Sequence, residues 1–174
     1  SRLHAESVDV VAVANPLRSV SGDAAYLRDV ITGIGTPVVL VGHSYAGMVI
    51  TEAAAGNDRV VALVYAGAFA PDRGESALQL ASRFPGSTLG AALVASPVPG
   101  GGNEFRIRPK VFHEQFVADG SAAEAGLMAV TQRPVTEAAL AEELPTDEPA
   151  WRALPSWFVF GDQDRNIPPA ALRY

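Results

Sequence analysis

Apolar residues in the first part of the chain follow two alternating patterns. Nearly continuous, β-branched apolar runs occupy residues 8–14, 38–41 and 60–65, and such runs are typical of strands buried on both faces. Between them, apolar side chains recur with helical spacing over residues 24–34 and 46–54. Ser21 or Asp23 can cap the first of these helices, and Gly35 closes it. This order of strands and helices, with short connections, predicts a parallel sheet.

The pattern changes after residue 70. Residues 71–154 contain no strong strand signal, and helical spacing recurs over 111–117, 122–130 and 135–144. The loop 97–103 is rich in proline and glycine but lacks the Gly-Lys-Ser/Thr of a phosphate-binding loop, so we interpret it as a mobile connector. Residues 157–160 restore the buried-strand pattern. We therefore predict a core with a mostly parallel sheet over residues 1–70 and 155–174, and a small helical cap inserted at 71–154.

Composition and charge narrow the possible functions. The 174 residues carry 13 basic and 19 acidic side chains, a net charge of −6, which disfavours nucleic acid as a partner. The absence of cysteine excludes disulfides, thiolate zinc sites, iron–sulfur clusters and a cysteine nucleophile. No apolar run predicts a membrane span, and residues 1–6 show no apolar signal core. Because Lys110 is the one lysine among the basic residues, we expect a bacterial protein. Because no signal core or membrane span is visible, we expect a cytoplasmic location and no membrane partner.

The strongest chemical signal is the segment Gly42-His43-Ser44-Tyr45-Ala46-Gly47, which joins a predicted strand to a predicted helix. A sharp turn at this point exposes the Ser44 hydroxyl, and small residues on either side let the two backbones approach each other. The helix N-terminus directs free N–H groups and partial positive charge toward a developing negative charge. The backbone N–H of Tyr45 is therefore a candidate oxyanion donor and Ser44 a candidate nucleophile.

In this context the chain resembles the α/β-hydrolase superfamily, whose nucleophile elbow has the pattern G-x-S-x-G between a strand and a helix. Ala46 stands at the last position of the pattern and is also small. The resemblance implies an α/β-hydrolase core, an acyl-enzyme formed at Ser44, and neither a metal ion nor an organic cofactor. The cap is similar to that of the small serine esterases, methylesterases and hydroxynitrile lyases.

The resemblance also implies the triad acid, which lies in the loop after a late strand, two or three residues past a glycine. By that match Asp164, in Gly161-Asp162-Gln163-Asp164, is the acid, and Asp162 is its near rival. Its role is to orient a histidine and to stabilise the imidazolium that forms during catalysis. Asp72 occupies a second acid position that some family members use, although a turn or capping role is the expectation there.

The base histidine has no counterpart in the family's position, because residues 165–174 contain no histidine. We interpret His43 as structural or pocket-lining, His113 as a surface or pocket-wall residue of the cap, and His4 as solvated. The resemblance also makes 8–14 the fourth of eight strands, and the third lies between the fourth and fifth. We therefore expect the chain to be a fragment lacking both family ends, with its base histidine beyond residue 174 and a strand missing beside 38–41.

These interpretations predict a serine hydrolase that cleaves a small, largely apolar carboxylic ester. The candidate substrate pocket consists of His43, Phe69, Phe112 and Phe116, because the cap is apolar and carries aromatic residues. The same triad would also serve a hydroxynitrile lyase, a lactonase or a perhydrolase. A non-catalytic ligand-binding protein on the same fold is the alternative from another class.

Overall fold

The computed structural model describes residues 2–174, with the side chains of Arg2 and His4 outside the description, so the prediction for His4 is not addressed. The helices are α1 (Arg2–Ala5), α2 (Val20–Ile34), α3 (Ala46–Ala54), α4 (Ala77–Arg83), α5 (Leu89–Ala92), α6 (Pro109–Phe116), α7 (Ala122–Thr131), α8 (Glu137–Ala141), α9 (Ala150–Ala153) and α10 (Pro169–Leu172). The strands are β1 (Val38–Ser44), β2 (Val60–Ala68), β3 (Leu93–Pro97), β4 (Asn103–Ile107), β5 (Val135–Thr136) and β6 (Ser156–Val159).

The central sheet has the order β1-β2-β6, and both of its pairings are parallel. This confirms the parallel sheet predicted from the apolar runs at 38–41, 60–65 and 157–160. In one row of the sheet, Leu40 of β1 pairs with Leu63 of β2, and Leu63 pairs with Ser156 of β6. Both leucines are buried. The carboxyl ends of the three strands therefore meet at one edge of the sheet, where the elbow and the acid loop follow.

The prediction that these strands are buried on both faces is correct for one face of β1 and β2 only, and Trp157, Phe158 and Val159 of β6 are all exposed. The next row of the sheet consists of Val41, Val64 and Trp157. In this row Val41 is 61% exposed and Trp157 is 58% exposed. Helix α3 packs against β1 and β2, and α2 packs against α3. Within residues 2–174 the opposite face of the sheet remains open to solvent.

Helix α2 begins slightly earlier in the sequence than the predicted caps. Ser19 is its N-cap, and its hydroxyl accepts a hydrogen bond from the N–H of Gly22. Ser21 and Asp23 lie inside the first turn, so the prediction that one of them caps the helix is wrong. Gly35 ends the helix as predicted, with the left-handed φ of 77° that glycine adopts without strain.

Residues 8–14 form no strand, although their apolar pattern matches that of β1 and β2. A strand needs a hydrogen-bonded neighbour, and a cavity of about 730 Å³ separates residues 8–13 from β1. The residues that line this cavity include Val10, Val11, Val39 and Val41. The predicted strand is therefore replaced by an irregular segment, because the sheet ends at β1 within the described residues.

The segment 71–154 contains a small antiparallel sheet in addition to its helices, and the prediction of a helical cap did not include these strands. Strands β3 and β4 form a hairpin in which Pro97 pairs with Asn103, and β5 adds a short third strand. The loop predicted to be a mobile connector is the turn of this hairpin, with Gly100, Gly101 and Gly102 at positive φ. Helices α6 and α7 confirm the predictions for 111–117 and 122–130, whereas 135–144 forms β5 and the short α8.

Two apolar clusters stabilise these elements. The larger contains α2, α3 and the central sheet, and it also receives residues of α4, α8 and α9, such as Leu80, Ala139 and Ala150. The smaller lies in the cap and contains Ala92, Ile107, Phe112 and Ala129. The boundaries at 71 and 154 remain a prediction. None of the helices described is long and apolar enough to cross a membrane.

Candidate active site

Ser44 stands at the last position of β1, one residue before the N-cap of α3. Its φ is +54°, a conformation that a residue with a side chain seldom adopts. Such a strained residue persists only where its surroundings hold it, and here the Ser44 carbonyl accepts a hydrogen bond of 3.2 Å from the N–H of Phe69. The chain therefore makes the sharp strand-to-helix turn predicted for a nucleophile elbow.

Two glycines allow the close approaches around this turn. A Cβ atom at Gly42 would lie 2.8 Å from the carbonyl oxygen of Ala46, so the elbow could not close as tightly with a side chain there. A Cβ atom at Gly47 would lie only 2.0 Å from the carbonyl oxygen of Phe69. Helix α3 therefore packs directly against the backbone that follows β2. The sequence pattern emphasised residues 42 and 46, whereas the tightest contact belongs to Gly47.

The side chain of Tyr45 anchors the start of α3 to α2. Its hydroxyl donates a hydrogen bond of 3.0 Å to Oδ2 of the buried Asp23, and Oδ1 of Asp23 accepts one from the N–H of Arg18. Burial raises the pKa of Tyr45 strongly, and the negative charge of Asp23 raises it further, so the hydroxyl stays protonated as a donor. Because the side chain is held on one side, the backbone N–H of Tyr45 keeps a defined position at the N-terminus of α3.

Asp164 lies in the loop after β6, as predicted, and one of its carboxylate oxygens is hydrogen-bonded within this loop. Oδ1 accepts hydrogen bonds from the N–H groups of Asn166 at 2.7 Å and Ile167 at 3.0 Å. Oδ2 is 3.6 Å from the position that a Cβ atom would occupy on Gly67. Ser44 pairs with Ala68 across β1 and β2, next to Gly67. The structure therefore brings Ser44 and Asp164 to the same edge of the sheet.

Gly67 was not singled out from the sequence. It has a φ of +52°, and the position of its absent Cβ lies 3.6 Å from Asp164 Oδ2 and 3.9 Å from His43 Cδ2. A side chain here would enter the space between the carboxylate and the imidazole. A glycine at the end of a strand beside the elbow is the signal that would have drawn attention to it.

The other candidate acids are placed differently. Asp162 lies in an exposed turn. Asp72 binds Arg152 through both carboxylate oxygens, at 2.7 and 2.8 Å, and its N–H donates to Glu75. This ion pair is about half exposed, and it ties the start of the 71–154 segment to α9.

His43 lies beside Asp164 and the cap. Its ring centroid is 5.6 Å from that of Phe116, edge to face, although the residue as a whole is exposed to solvent. Burial lowers the pKa of His43, and the nearby charge of Asp164 opposes that change. His113 is exposed on α6, where its Nε2 lies 2.9 Å from the carbonyl oxygen of Gly120.

The predicted aromatic pocket is divided between the two apolar clusters. Phe69 is buried in the main core, and Phe112 is buried in the cap cluster. Phe116 is half-buried, with its ring centroid 5.3 Å from that of Phe112, and it reaches the elbow through His43. Phe116 and His43 thus form the contact between cap and elbow.

Among the described residues, no group of three or more histidine, aspartate and glutamate side chains could hold a metal ion.

Comparisons with known proteins agree with this geometry. A family profile described as "Alpha/beta hydrolase family" matches residues 2–174. A comparison with curated protein sequences returned no match.

Solved structures with the same fold include several esterases. Polyneuridine aldehyde esterase has a TM-score of 0.70 at 18% identity, over 91% of this chain and 67% of its own. A methylesterase from Arabidopsis has 0.70 at 16% identity, over 94% and 65%. A pyrethroid hydrolase from Sphingobium faniae has 0.66 at 20% identity, over 89% and 63%. The chain thus spans about two thirds of the length of these structures. At such identities the likeness establishes the fold, which is the one that the elbow predicts.

Proposed function

The chain belongs to the alpha/beta hydrolase family, and we propose that it forms part of a serine hydrolase that cleaves small carboxylic esters through an acyl-enzyme at Ser44. The observation that carries the proposal is the strained elbow at Ser44, with Asp164 placed beside Gly67 at the same edge of the sheet. Similar structures that are themselves esterases, methylesterases and pyrethroid hydrolases support the same reaction class.

In the proposed reaction the Ser44 oxygen attacks the ester carbonyl carbon while a histidine base takes the serine proton. The carbonyl oxygen becomes an oxyanion, which the N–H of Tyr45 and the N-terminus of α3 stabilise. The tetrahedral intermediate collapses, and the alcohol leaves with the proton held by the histidine. Water, deprotonated by the same histidine, then attacks the acyl group and releases the carboxylic acid and the free serine.

The base is proposed to be a histidine outside residues 1–174. His113 binds within the cap, and His43 precedes the nucleophile on the same strand. Asp164 suits the orienting role, because Oδ1 is held by two backbone N–H groups while Oδ2 faces the elbow side of the loop. A histidine Nδ1–H bonded to Oδ2 would have its tautomer fixed and its protonated form stabilised.

The proposed substrate is a small, largely apolar ester. Phe116 and His43 meet edge to face where the cap approaches the elbow, so an acyl or alcohol group bound there contacts aromatic surface. The chain has a formal net charge of −6, which does not favour an anionic substrate through long-range attraction.

The test compares Ser44→Ala with Ser82→Ala in the complete gene product that contains these residues. Ser82 is an exposed serine whose hydroxyl bonds to carbonyl oxygens of its own helix, so it serves as the matched control. With p-nitrophenyl acetate, Ser44→Ala is expected to lower kcat on the order of 10³-fold or more. It should also abolish labelling by a fluorophosphonate, which phosphonylates an activated serine and releases fluoride. More than a tenth of the original turnover in Ser44→Ala would refute the assignment.

A further inference from the structure

The last turn of α6 in the cap is joined to the acid loop by a reciprocal pair of hydrogen bonds. The Nε2 of Gln115 donates to Oδ1 of Asn166 at 2.8 Å, and the Nδ2 of Asn166 donates to the main-chain oxygen of Gln115 at 3.0 Å. Both side chains are half-buried. Because the Asn166 side chain uses both its Oδ1 and its Nδ2 in this pair, the orientation of its amide is fixed, which a single bond would leave free to rotate.

Neighbouring groups complete the attachment. The Oε1 of Gln115 accepts a hydrogen bond of 3.0 Å from the Thr88 hydroxyl, and the N–H of Thr88 donates to the carbonyl of Arg165 at 2.9 Å. The hydroxyl of Ser87 donates to the carbonyl of Asn166 at 2.8 Å. The loop that carries Asp164 is therefore held from the cap side at two consecutive residues.

Asn166 also makes a direct contact with the acid. Its backbone N–H donates the 2.7 Å bond to Oδ1 of Asp164, so the direction of that N–H, together with that of Ile167, sets the rotation of the carboxylate. The second oxygen, Oδ2, then faces the Gly67 side. Gln115 thus reaches the carboxylate through one intermediate residue and without touching it.

The same end of α6 touches the nucleophile strand. Phe116, the residue after Gln115, places its ring against His43, which directly precedes Ser44. A displacement of this helix end therefore acts on both the acid loop and the elbow strand.

We propose that Gln115 is a positioning residue, which acts through Asn166 to hold Asp164 in the orientation that catalysis requires, so that seating of the cap and assembly of the triad are coupled. The inference rests on the proposed ester hydrolysis. Since misplacement of a catalytic group by about 1 Å can cost up to about 10²-fold in rate, loss of this contact is expected to act on turnover more than on binding.

The test compares Gln115→Ala with Glu114→Ala in the complete gene product. Glu114 is the preceding residue of α6 and touches the same loop, but its ion pair with Arg165 is 3.5 Å long with side chains 80% and 61% exposed. Exposed pairs of this kind contribute little, so Glu114→Ala is expected to stay within about twofold of the original kcat and KM. Gln115→Ala is expected to lower kcat about tenfold while KM changes less than about twofold.

A pH profile and a double-mutant cycle separate positioning from general loosening. A less well oriented Asp164 stabilises the protonated base less, so the acidic limb of kcat/KM should move to lower pH in Gln115→Ala. His43 is the titratable group that faces Asp164 from β1, and Glu114 and Arg165 are the charged groups nearby; the same profile in Glu114→Ala controls for them. If Gln115 acts through Asn166, the double variant with Asn166→Ala should be no slower than the slower single variant.

The outcomes distinguish the two proposals. Equal kcat in Gln115→Ala and Glu114→Ala, or fully additive losses in the cycle, would overturn the positioning role while leaving Ser44 as the nucleophile. Full turnover in Ser44→Ala would instead overturn the proposed function. Urea unfolding of each variant shows whether it has lost its fold. If Gln115→Ala has, Gln115→Glu replaces it in the comparison. Gln115→Glu keeps the shape and the acceptor for Thr88 but removes the donor to Asn166.

Discussion

Replacing Gly47 with alanine should destabilise the protein, although alanine is the better helix former. Gly47 is a buried residue of α3, and the new Cβ atom would lie 2.0 Å from the carbonyl oxygen of Phe69 and 2.9 Å from its carbonyl carbon. Both are backbone atoms of the residue that follows β2, so no side-chain rotation relieves the overlap. Helix α3 has to retreat, and the 3.2 Å bond between Phe69 N–H and the Ser44 carbonyl must lengthen.

The magnitude follows from two opposing effects. Overpacking of a buried site costs about 1–3 kcal/mol, and a rigid backbone contact belongs at the upper end of that range. Alanine in a helix interior gains about 1 kcal/mol over glycine. We therefore expect Gly47→Ala to lower the free energy of unfolding by about 2 kcal/mol.

Gly126→Ala is the matched control. Gly126 is an exposed residue of α7, and nothing lies within 4 Å of its added Cβ atom, so only the helix-propensity gain of about 0.5–1 kcal/mol remains. Urea unfolding of both variants, followed by circular dichroism, should show midpoints that move in opposite directions. If both midpoints rise together, the close approach between α3 and the strand end does not exist as described.

Three further variants test the site. Asp164→Asn should lower kcat for an ester by about 10³–10⁴-fold, whereas Asp162→Asn should change it little; the reverse ranking would move the acid to residue 162. Tyr45→Phe removes the donor to the buried carboxylate of Asp23 and should cost about 2 kcal/mol in urea unfolding, while an unchanged stability would mean that this bond contributes nothing. His43→Gln should flatten the pH dependence of stability. Burial lowers the pKa of His43 in the folded state, so its contribution is complete above the ordinary value of 6.5 and is lost as the pH falls below it; unfolding at about pH 7.5 and pH 5 measures the difference.

The central strands could be predicted because their residues agree with their surroundings. The runs that became β1, β2 and β6 are rich in β-branched and aromatic residues, and each has a strand beside it. Residues 8–14 carry the same signal and form no strand, since pairing depends on a neighbour distant in sequence and no local pattern reports it. A pattern of apolar residues thus predicts a strand reliably only when a neighbouring strand is present to pair with it.

The cap strands were missed for the opposite reason. Strands β3 and β4, Leu93–Pro97 and Asn103–Ile107, are five residues each and mix polar, charged and apolar positions. Their pairing comes from the glycine-rich turn between them, which looked like a flexible connector because its glycines follow a proline-rich run. The turn residues at 98–102 were therefore a better indicator of this hairpin than the residues of its two strands.

For the candidate site, the elbow pattern and the family resemblance were enough to nominate Ser44, Tyr45 and Asp164, whose roles remain proposals. They were insufficient for Gly67, Gln115 and Asn166. Their importance comes from contacts across distant segments, such as the one between residues 115 and 166, and neither partner belongs to a motif. The residues that hold a site in place are thus harder to recognise in a sequence than those that form it.

The strand that precedes the acid loop pairs with a strand from the other side of the cap, since Leu63 of β2 lies opposite Ser156 of β6. The core can complete its sheet only by closing a loop that contains the whole 71–154 segment. Loop-closure entropy grows with the logarithm of length, so doubling such a loop adds only about 0.6 kcal/mol, whereas the long separation slows the search for the pairing. The length of the segment between β2 and β6 therefore adds little to the loop-closure cost and matters mainly for the folding rate, whereas the residues of α4, α8 and α9 that pack into the larger cluster add to the equilibrium stability of the core.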